Sequence, residues 1–553
     1  MSVETIVVMD SPDQATEDYF SRYGESDLRI SRVSCHDPGL TRNHGVSIAT
    51  GEYVALIDGD DLVSKDWLCR AVEYLQGHGP HVIAHPEFHH AFGEETFLWR
   101  QVSSSSADCH LDDLLEFNYW GVVSVARKEI FVKYPFESAS GESGFGWEDW
   151  HFNCETLADG IEHHVVPKTV YYWRLRGAGS RTALDRGSPR VIRPTKLFDP
   201  RTGLTVLTED MTQKGKGLAF VNEHGDGSSR YQAVRRELFR QIQAVGRLVR
   251  ARSPRVFRVI LKSLRRLSGL GRAAMATINA STGRPSPLPD WLIAEWREIH
   301  AIEPELFPER WLTQTIPVRS VLHSGLGRPY LEMCRLYGEN VSHVFLVPRL
   351  TMGAADREAL NYVEALVRFG LGNEIVVIAT GDGESPWARQ LPEGVRFIEF
   401  GKRYPSLAPR EQEALLTRVL LQMAPRAVHN LKSDLGYRLF AKHGNALGSV
   451  SRLYVTTFCN EVTREGRSVG YAVEYLPECF ENLAAVACDN QSFLDELQRL
   501  YAFDVGKLYV HHQPVEEVER RVRRRSEESQ PSRHSWERFR DELREFPDYV
   551  LQR

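Results

Sequence analysis

No stretch of the 553 residues reaches the roughly 18 uncharged apolar residues that a membrane-spanning helix needs. The opening residues, MSVETIVVMDSPDQ, are too short in apolar run and too acidic for a secretory signal. The eight cysteines (Cys35, Cys69, Cys109, Cys154, Cys334, Cys459, Cys479 and Cys488) include no C-x-x-C pair. That spacing argues against a zinc cluster, and their low density argues against a disulfide framework. A strong excess of one charge is also missing. The formal net charge is -6 and the isoelectric point about 6.4, so nothing draws the whole chain to nucleic acid. These absences predict a cytoplasmic protein in a reducing compartment with no nucleic-acid partner.

What is present is ordinary globular composition, 42% hydrophobic and 26% charged. The length suggests about three or four units. Residues 1–190 alternate short β-rich runs with helical patterns. ETIVVMD (4–10), EYVALIDGDD (52–61), HVIAHPEF (81–88) and HHVVPKTVYYWRL (163–175) read as strands, and SKDWLCRAVEYLQGHG as a helix closed by Gly79-Pro80. Such alternation predicts an α/β sheet with parallel members, whose ligands bind at the carboxyl ends of strands. Asp10, Asp58 and Asp60 fall at such ends.

Residues 191–335 read as a helical, basic linker region. From Arg235 to Arg272 twelve basic residues face a single acidic one, Glu237, with apolar residues at helical spacing and Pro254 as a break. Such helices either rest on an anionic membrane surface, as a peripheral contact at its inner face, or pack their apolar stripe on a neighbouring domain. Residues 336–515 return to Rossmann-like α/β, with strands expected at 342–350, 373–383, 426–430, 451–459 and 483–490 and a helix over 355–370. Charge dominates the tail at 516–553, which predicts a solvated helix or disorder.

The chemistry concentrates in GLTRNHGVSIATGEYVALIDGDDLVSKDWL (39–68). Asp58, Asp60 and Asp61 lie within four residues, and carboxylates that close repel unless a cation neutralises them. Hard oxygen ligands suit Mg²⁺ or Mn²⁺, which usually takes one or two protein carboxylates and completes its shell with phosphates. The cluster therefore suggests diphosphate binding. The plainer reading is an acidic loop capping the next helix. A second motif, GESGFGWEDWHFNCETLADG (141–160), places Glu148 and Asp149 at a helix entry, where an ionised carboxylate can serve as general base.

These stretches resemble the family-two glycosyltransferases of the GT-A fold, in which R-N-x-G-x-x-x-A-x-G-E-Y precedes D-x-D-D at a strand end. The matching residues are Arg42, Asn43, Gly45, Ala49, Gly51, Glu52 and Tyr53, then Asp58, Asp60 and Asp61. The resemblance implies a nucleotide-sugar donor held by Asp10, Arg42, Asn43, Asp58 and Asp60. It implies a metal held chiefly by Asp60 with Asp58 as second carboxylate, Asp58 turning more to the ribose. It makes Asp149 the base, with Glu148 contacting acceptor or orienting the loop, and direct displacement then inverts the anomeric carbon. Asn118, Tyr119, Trp120 and Trp147 are the candidates for contact with a glycan or lipid-linked acceptor, and Arg174, Arg176 and Arg181 for the diphosphate. His36, His44, His151 and the histidines of HVIAHPEFHH are candidate third ligands or ordinary packed residues.

Relative to that family the chain begins one βα unit late, so the reading is of an N-terminally truncated GT-A domain. LVPRLTMGAADREALNYVEALVRFG resembles the opening of family-four glycosyltransferases of the GT-B fold, with Gly353, Ala354, Ala355 and Asp356 in the loop. Residues 336–515 are accordingly expected to be a GT-B N-terminal half that does not transfer sugar alone. Two functions stay open: a metal-assisted transferase building a polysaccharide or glycoconjugate, and a non-catalytic scaffold or acceptor-binding protein. A metal-dependent phosphohydrolase would leave the Arg42–Tyr53 segment and the Glu148–Asp149 pair unexplained.

Overall fold

The computed structural model describes residues 2–22, 28–93, 96–139, 143–176, 189–214, 288–307, 318–319, 323–458, 460–462, 468–514 and 533–550. The basic stretch 235–272, Arg181 and Cys459 lie outside the described residues.

The first apolar run forms β1 (Thr5–Asp10), which pairs in parallel with β2 (Leu28–Val33) as a two-stranded sheet. Between them lies α1 (Gln14–Phe20), capped by the Asp13 side chain. Helix α2 (Pro38–Ile48) follows, with Asp37 accepting from the Leu40 N–H and proline in its first turn, a favoured helix start. Strand β3 (Tyr53–Leu56) stops short of the acidic cluster, so Asp58, Asp60 and Asp61 sit in the turn beyond it. The elements β4 (Leu62–Val63), α3 (Trp67–His78), β5 (Val82–Gly93) and β6 (Phe97–Arg100) come next. After a 3₁₀ turn at Leu111–Leu115 come β7 (Ser124–Arg127), α4 (Lys128–Lys133), α5 (Glu148–Ala158) and β8 (Glu162–Leu175). They build a mixed sheet of order β3-β7-β5-β6, in which β8 runs parallel to β5 and pairs with β4.

The region expected to be a linker contributes to both sheets. Helix α6 (Leu204–Gln213) joins a core that runs on into the second sheet. Helix α7 (Asp290–Ile302) packs Leu292 and Trp296 against Phe88, Phe92 and Tyr172 of the first sheet, and β9 (Val318–Arg319) pairs with β6. Helix α8 (Gly327–Tyr337) buries Tyr330, Leu331, Met333, Cys334 and Tyr337 in the shared core.

The second sheet contains β10 (His343–Val347), β11 (Ile375–Ala379), β12 (Arg396–Ile398), β13 (Ala427–Leu431), β14 (Arg452–Thr456), β15 (Ala485–Cys488) and β16 (Leu508–Val510). Every pair is parallel, and the spatial order is β12-β11-β10-β13-β14-β15-β16, a Rossmann-like reversal between β10 and β13. Runs such as HVFLV and IVVIA are buried at every position because helices cover both faces. The helices include α9 (Ala354–Arg368), α10 (Pro409–Met423) and α11 (Asp434–Val450).

The tail departs from expectation. Helix α12 (Arg533–Glu545) lies on the second sheet, with Trp536, Phe539, Leu543, Phe546 and Tyr549 buried beside Tyr362, Phe345 and Tyr454. An apolar stripe at helical spacing is threaded through the charge, and burying it outweighs the solvation of the rest of the helix. Leu543→Ala is expected to lower stability by about 2–3 kcal/mol, read from a chemical denaturation midpoint. An unchanged midpoint would mean that the tail is not part of the core. Among the described residues, no helix is long and apolar enough to cross a membrane.

Candidate active site

Arg42, one turn into α2, ties the two acidic motifs together. Its Nε and Nη2 donate to the Asp58 carboxylate at 2.9–3.1 Å, and its Nη1 donates to Glu148 Oε1 at 2.7 Å. Burial works against the guanidinium charge, but Asp58 and Glu148 outweigh it and hold Arg42 protonated. One cation thus bridges residues 90 positions apart in sequence and brings the turn after β3 beside the start of α5.

Around this bridge the other carboxylates divide by environment. Asp60 accepts from Arg176 at 2.8 Å. Asp61 is buried, accepting from the Tyr171 hydroxyl at 2.5 Å and the Arg174 N–H at 2.9 Å. Burial pushes its carboxyl up to about 7 against those bonds, with Asp58 and Asp60 adding to the rise. Asp149 accepts from the Trp150 N–H at 2.8 Å and from Asn118 Nδ2 at 3.2 Å. Burial, then the neighbouring Glu148, pushes it up to about 7, while Arg42 pulls the other way. A carboxyl titrating near neutrality at a helix start suits proton abstraction.

The residue before this pair, Trp147, caps α5 in a left-handed conformation at φ +60°, unusual for a bulky side chain. It is half-buried, and so is Asn118. Asn118 also accepts from Asn153 at 2.9 Å, which fixes the amide that faces Asp149.

Other candidates take supporting places. Asp10 accepts from the N–H groups of Cys35, His36 and Asp37 and from the hydroxyls of Thr41 and Ser11. Burial raises its pKa, but these bonds prevail and hold it below the usual carboxylate range. Asp10 therefore shapes the turn into α2. The Asn43 amide donates to the Phe136 carbonyl and accepts from its N–H, pinning that segment. Tyr119 and Trp120, expected to offer faces to acceptor, are 1% and 0% exposed. Tyr119 bonds Asp113, and Trp120 bonds the Val102 carbonyl and stacks on His163, so both belong to the core rather than to an exposed platform. His36 lies by Ser11 and Ser34, His44 bonds Ser31, and His151 bonds the Pro194 carbonyl. Each of the three already has a structural partner.

The second sheet grips the loop that carries Asp149. Gly144 and Gly146 exchange backbone hydrogen bonds with Val191. From there the strip 189–195 is held from the other side. Arg418 donates to the carbonyls of Ile192 and Arg193, Gln422 bonds both the N–H and the carbonyl of Thr195, and His443 meets the Pro189 carbonyl. Gly144, at φ +71°, sits where a Cβ would come 2.6 Å from the Ala446 nitrogen of α11. These contacts are invisible to motif reading, because their partners are more than 200 residues away and one side is irregular backbone. Gln422→Ala deletes two bonds to buried backbone and should cost about 1–3 kcal/mol in a denaturation midpoint. An unchanged midpoint would release the strip 189–195 from the second sheet's grip.

Asp60 fits a divalent cation. Its side chain is one-third exposed at 33%, and its partner Arg176 stands on the solvent side at 48%. Asp58 is spoken for by the two-pronged Arg42 contact. The grouping of three ligand-bearing side chains that does form among the described residues is elsewhere, at His110, Asp112 and Asp210, where Lys214 already pairs with Asp210.

Residues 1–134 match the family model described as Glycosyl transferase family 2. The chain is 34% identical over 68 residues to EpsH of Bacillus subtilis (strain 168), whose description as a glycosyltransferase is provisional. That alignment covers 12% of this chain and 20% of EpsH, so the chain spans a fifth of that relative. Among solved structures, S. aureus TarS 1–349 in complex with UDP is 16% identical, covering 45% of this chain and 65% of that one, with a TM-score of 0.24. GalNAc-T7 with UDP, GalNAc and Mn²⁺ is 12% identical, covering 41% and 46%, with a TM-score of 0.26. This chain thus covers less than two thirds of either structure.

Proposed function

We propose that the N-terminal sheet transfers a sugar from a nucleotide-diphosphate donor to an acceptor hydroxyl with inversion. The observation that carries this reading is the Arg42 bridge. It locks the Asp58–Asp61 turn to the Glu148–Asp149 helix start, so that a diphosphate-side carboxylate and a base-side carboxylate share one cleft. The family match over residues 1–134 supports the class of reaction.

In this reading Asp149 takes the proton of the acceptor hydroxyl, steadied by Asn118. The freed oxygen attacks the anomeric carbon from the face opposite the diphosphate. As that bond forms, the bond from the anomeric carbon to the diphosphate oxygen breaks, and its electron pair leaves with the nucleoside diphosphate. Asp58 meets the ribose, and Arg176 exchanges Asp60 for the phosphates. Asp60 would hold Mn²⁺ or Mg²⁺, which supplies charge neutralisation for the departing diphosphate when bound. Trp147 flanks the acceptor. Asp10 and Asn43 act on the donor through the backbone they hold. The second sheet is read as a GT-B-like half that leaves catalysis to the first.

The test is calorimetric titration of UDP, GDP and TDP with and without Mn²⁺, on the native chain and on Asp60→Ala. The expected result is metal-dependent binding of one nucleotide, lost in the variant. A second reading, a scaffold that keeps the fold without the reaction, draws on the Arg176–Asp60 pair, which neutralises Asp60 without a metal. Absence of binding by all three nucleotides would favour it.

A further inference from the structure

Asn153 stands one helical turn after Asp149, and so on the same face of α5. It is 2% exposed, in a helix that otherwise buries residues such as Phe152, Cys154 and Leu157. Asparagine is a poor helix former, and a buried amide is costly unless its polar atoms are answered. Its Nδ2 donates to Asn118 Oδ1 at 2.9 Å and to the Trp120 carbonyl at 3.0 Å.

Asn118 receives that bond and makes two of its own. Its Nδ2 donates to the same Trp120 carbonyl at 2.6 Å and to Asp149 Oδ2 at 3.2 Å. The Trp120 carbonyl is a fixed point, because its fully buried indole bonds the Val102 carbonyl and stacks on His163. This pattern selects one orientation of the Asn118 amide. Turned over, its oxygen would face two acceptors, the Trp120 carbonyl and the Asp149 carboxylate, while its NH₂ met the NH₂ of Asn153. Turning Asn153 over as well gives no relief, since its oxygen would then meet the Trp120 carbonyl.

We infer that Asn153 is a positioning residue for Asp149: acting through Asn118, it keeps an amide N–H aimed at the carboxylate that takes the acceptor proton. The role rests on the transferase reading above, whereas the bonds that carry it do not. A donated N–H favours the ionised carboxylate, which is the form that abstracts a proton. The other groups that act on Asp149 come from α5, α2 and the turn after β3. The Trp150 N–H also donates to it, Arg42 favours its ionisation, and the charges of Glu148 and Asp58 oppose it. Asn153 adds no charge to this set, so its effect is confined to the direction of one bond.

The experiment measures, in the full chain, the pH at which Asp149 ionises. The stability difference between a chain and its Asp149→Asn counterpart, followed by denaturation from about pH 5 to 9, bends at that pH whether or not sugar is transferred. Asn153→Leu fills a similar volume and donates nothing, and it should move the bend upward by about one pH unit, the size of one lost bond to a charged group. Asn153→Ala, a better helix former, should move it likewise. In an Asn118→Ala background neither substitution should move it further, because the amide through which Asn153 acts is gone. Leu157→Ala, which weakens α5 without touching either amide, should lower stability and leave the bend in place. An unmoved bend in both Asn153 variants, or a shift that persists in the Asn118→Ala background, overturns the inference. A shifted bend in a chain that binds none of UDP, GDP and TDP would overturn the transferase reading and leave the positioning of Asp149 by Asn153 standing.

Discussion

Asp149→Asn is expected to reduce the transfer rate by about 10²–10⁴-fold, the usual contribution of a positioned general base. The affinity for nucleotide and Mn²⁺ should stay within about two-fold, because Asp149 faces Asn118 and the acceptor side rather than the Asp58–Asp60 turn. The amide still accepts from the Trp150 N–H, so the entry to α5 stays capped. A rate loss accompanied by an equal loss of nucleotide affinity would show that the substitution disturbs the donor site through Glu148 and Arg42. Unchanged transfer would remove Asp149 as the base.

The same carboxyl sets two pH dependences. In its proposed role Asp149, pushed up to about 7, works only when deprotonated, so turnover should rise with pH and level off above about 7. Stability should move the opposite way. Asp149 and Asp61 both titrate higher in the folded chain than in the unfolded one, so the folded chain binds more protons between about pH 4 and 7. Their contribution is therefore full below the unfolded value and is lost as pH rises toward 7. Asp149→Asn, which has no charge to bury, should be the more stable chain at pH 8 by about 1–2 kcal/mol, discounted for the part of Asp149 that solvent reaches. Denaturation midpoints at pH 5 and pH 8 check the sign. A variant less stable than the native chain at pH 8 would contradict it.

What could be read beforehand was what sequence keeps local. Apolar runs such as HVFLV and IVVIA, the Asp37-Pro38 helix start and the D-x-D-D spacing each state their structure within a few residues. The carboxylate motifs were legible for the same reason. What stayed hidden was long-range pairing. Nothing near Arg42 names Glu148, 106 positions on, and nothing in the irregular strip 189–195 names Arg418 or Gln422. The stripe of α12 was hidden differently, by charge that masked three apolar residues, Trp536, Phe539 and Leu543, at helical spacing. Tyr119 misled because aromatic type fits a sugar platform and a core equally well, and only its burial decides.

Arg42→Met is the substitution expected to do most damage to folding. Removing one partner of a buried charge group leaves the others uncompensated, a loss of about 3–5 kcal/mol. Here Glu148 is the stranded charge, since its side chain is 10% exposed and water reaches little of it, whereas Asp58, at 38%, is screened by solvent. Arg42→Lys keeps the charge, but a single ammonium lacks the fork that spans Asp58 and Glu148 together, so recovery should be partial. The double variant Arg42→Met with Glu148→Gln separates folding from catalysis. Removing the stranded charge should restore much of the stability, because the pair is coupled rather than additive. Transfer should stay lost, since no cation then binds the Asp58 turn to the α5 start. Denaturation midpoints and turnover on the single and double variants read both quantities. A double variant that regains activity with its stability would reduce Arg42 to a counter-charge for Glu148. One that regains stability alone identifies the bridge as the element that assembles the cleft.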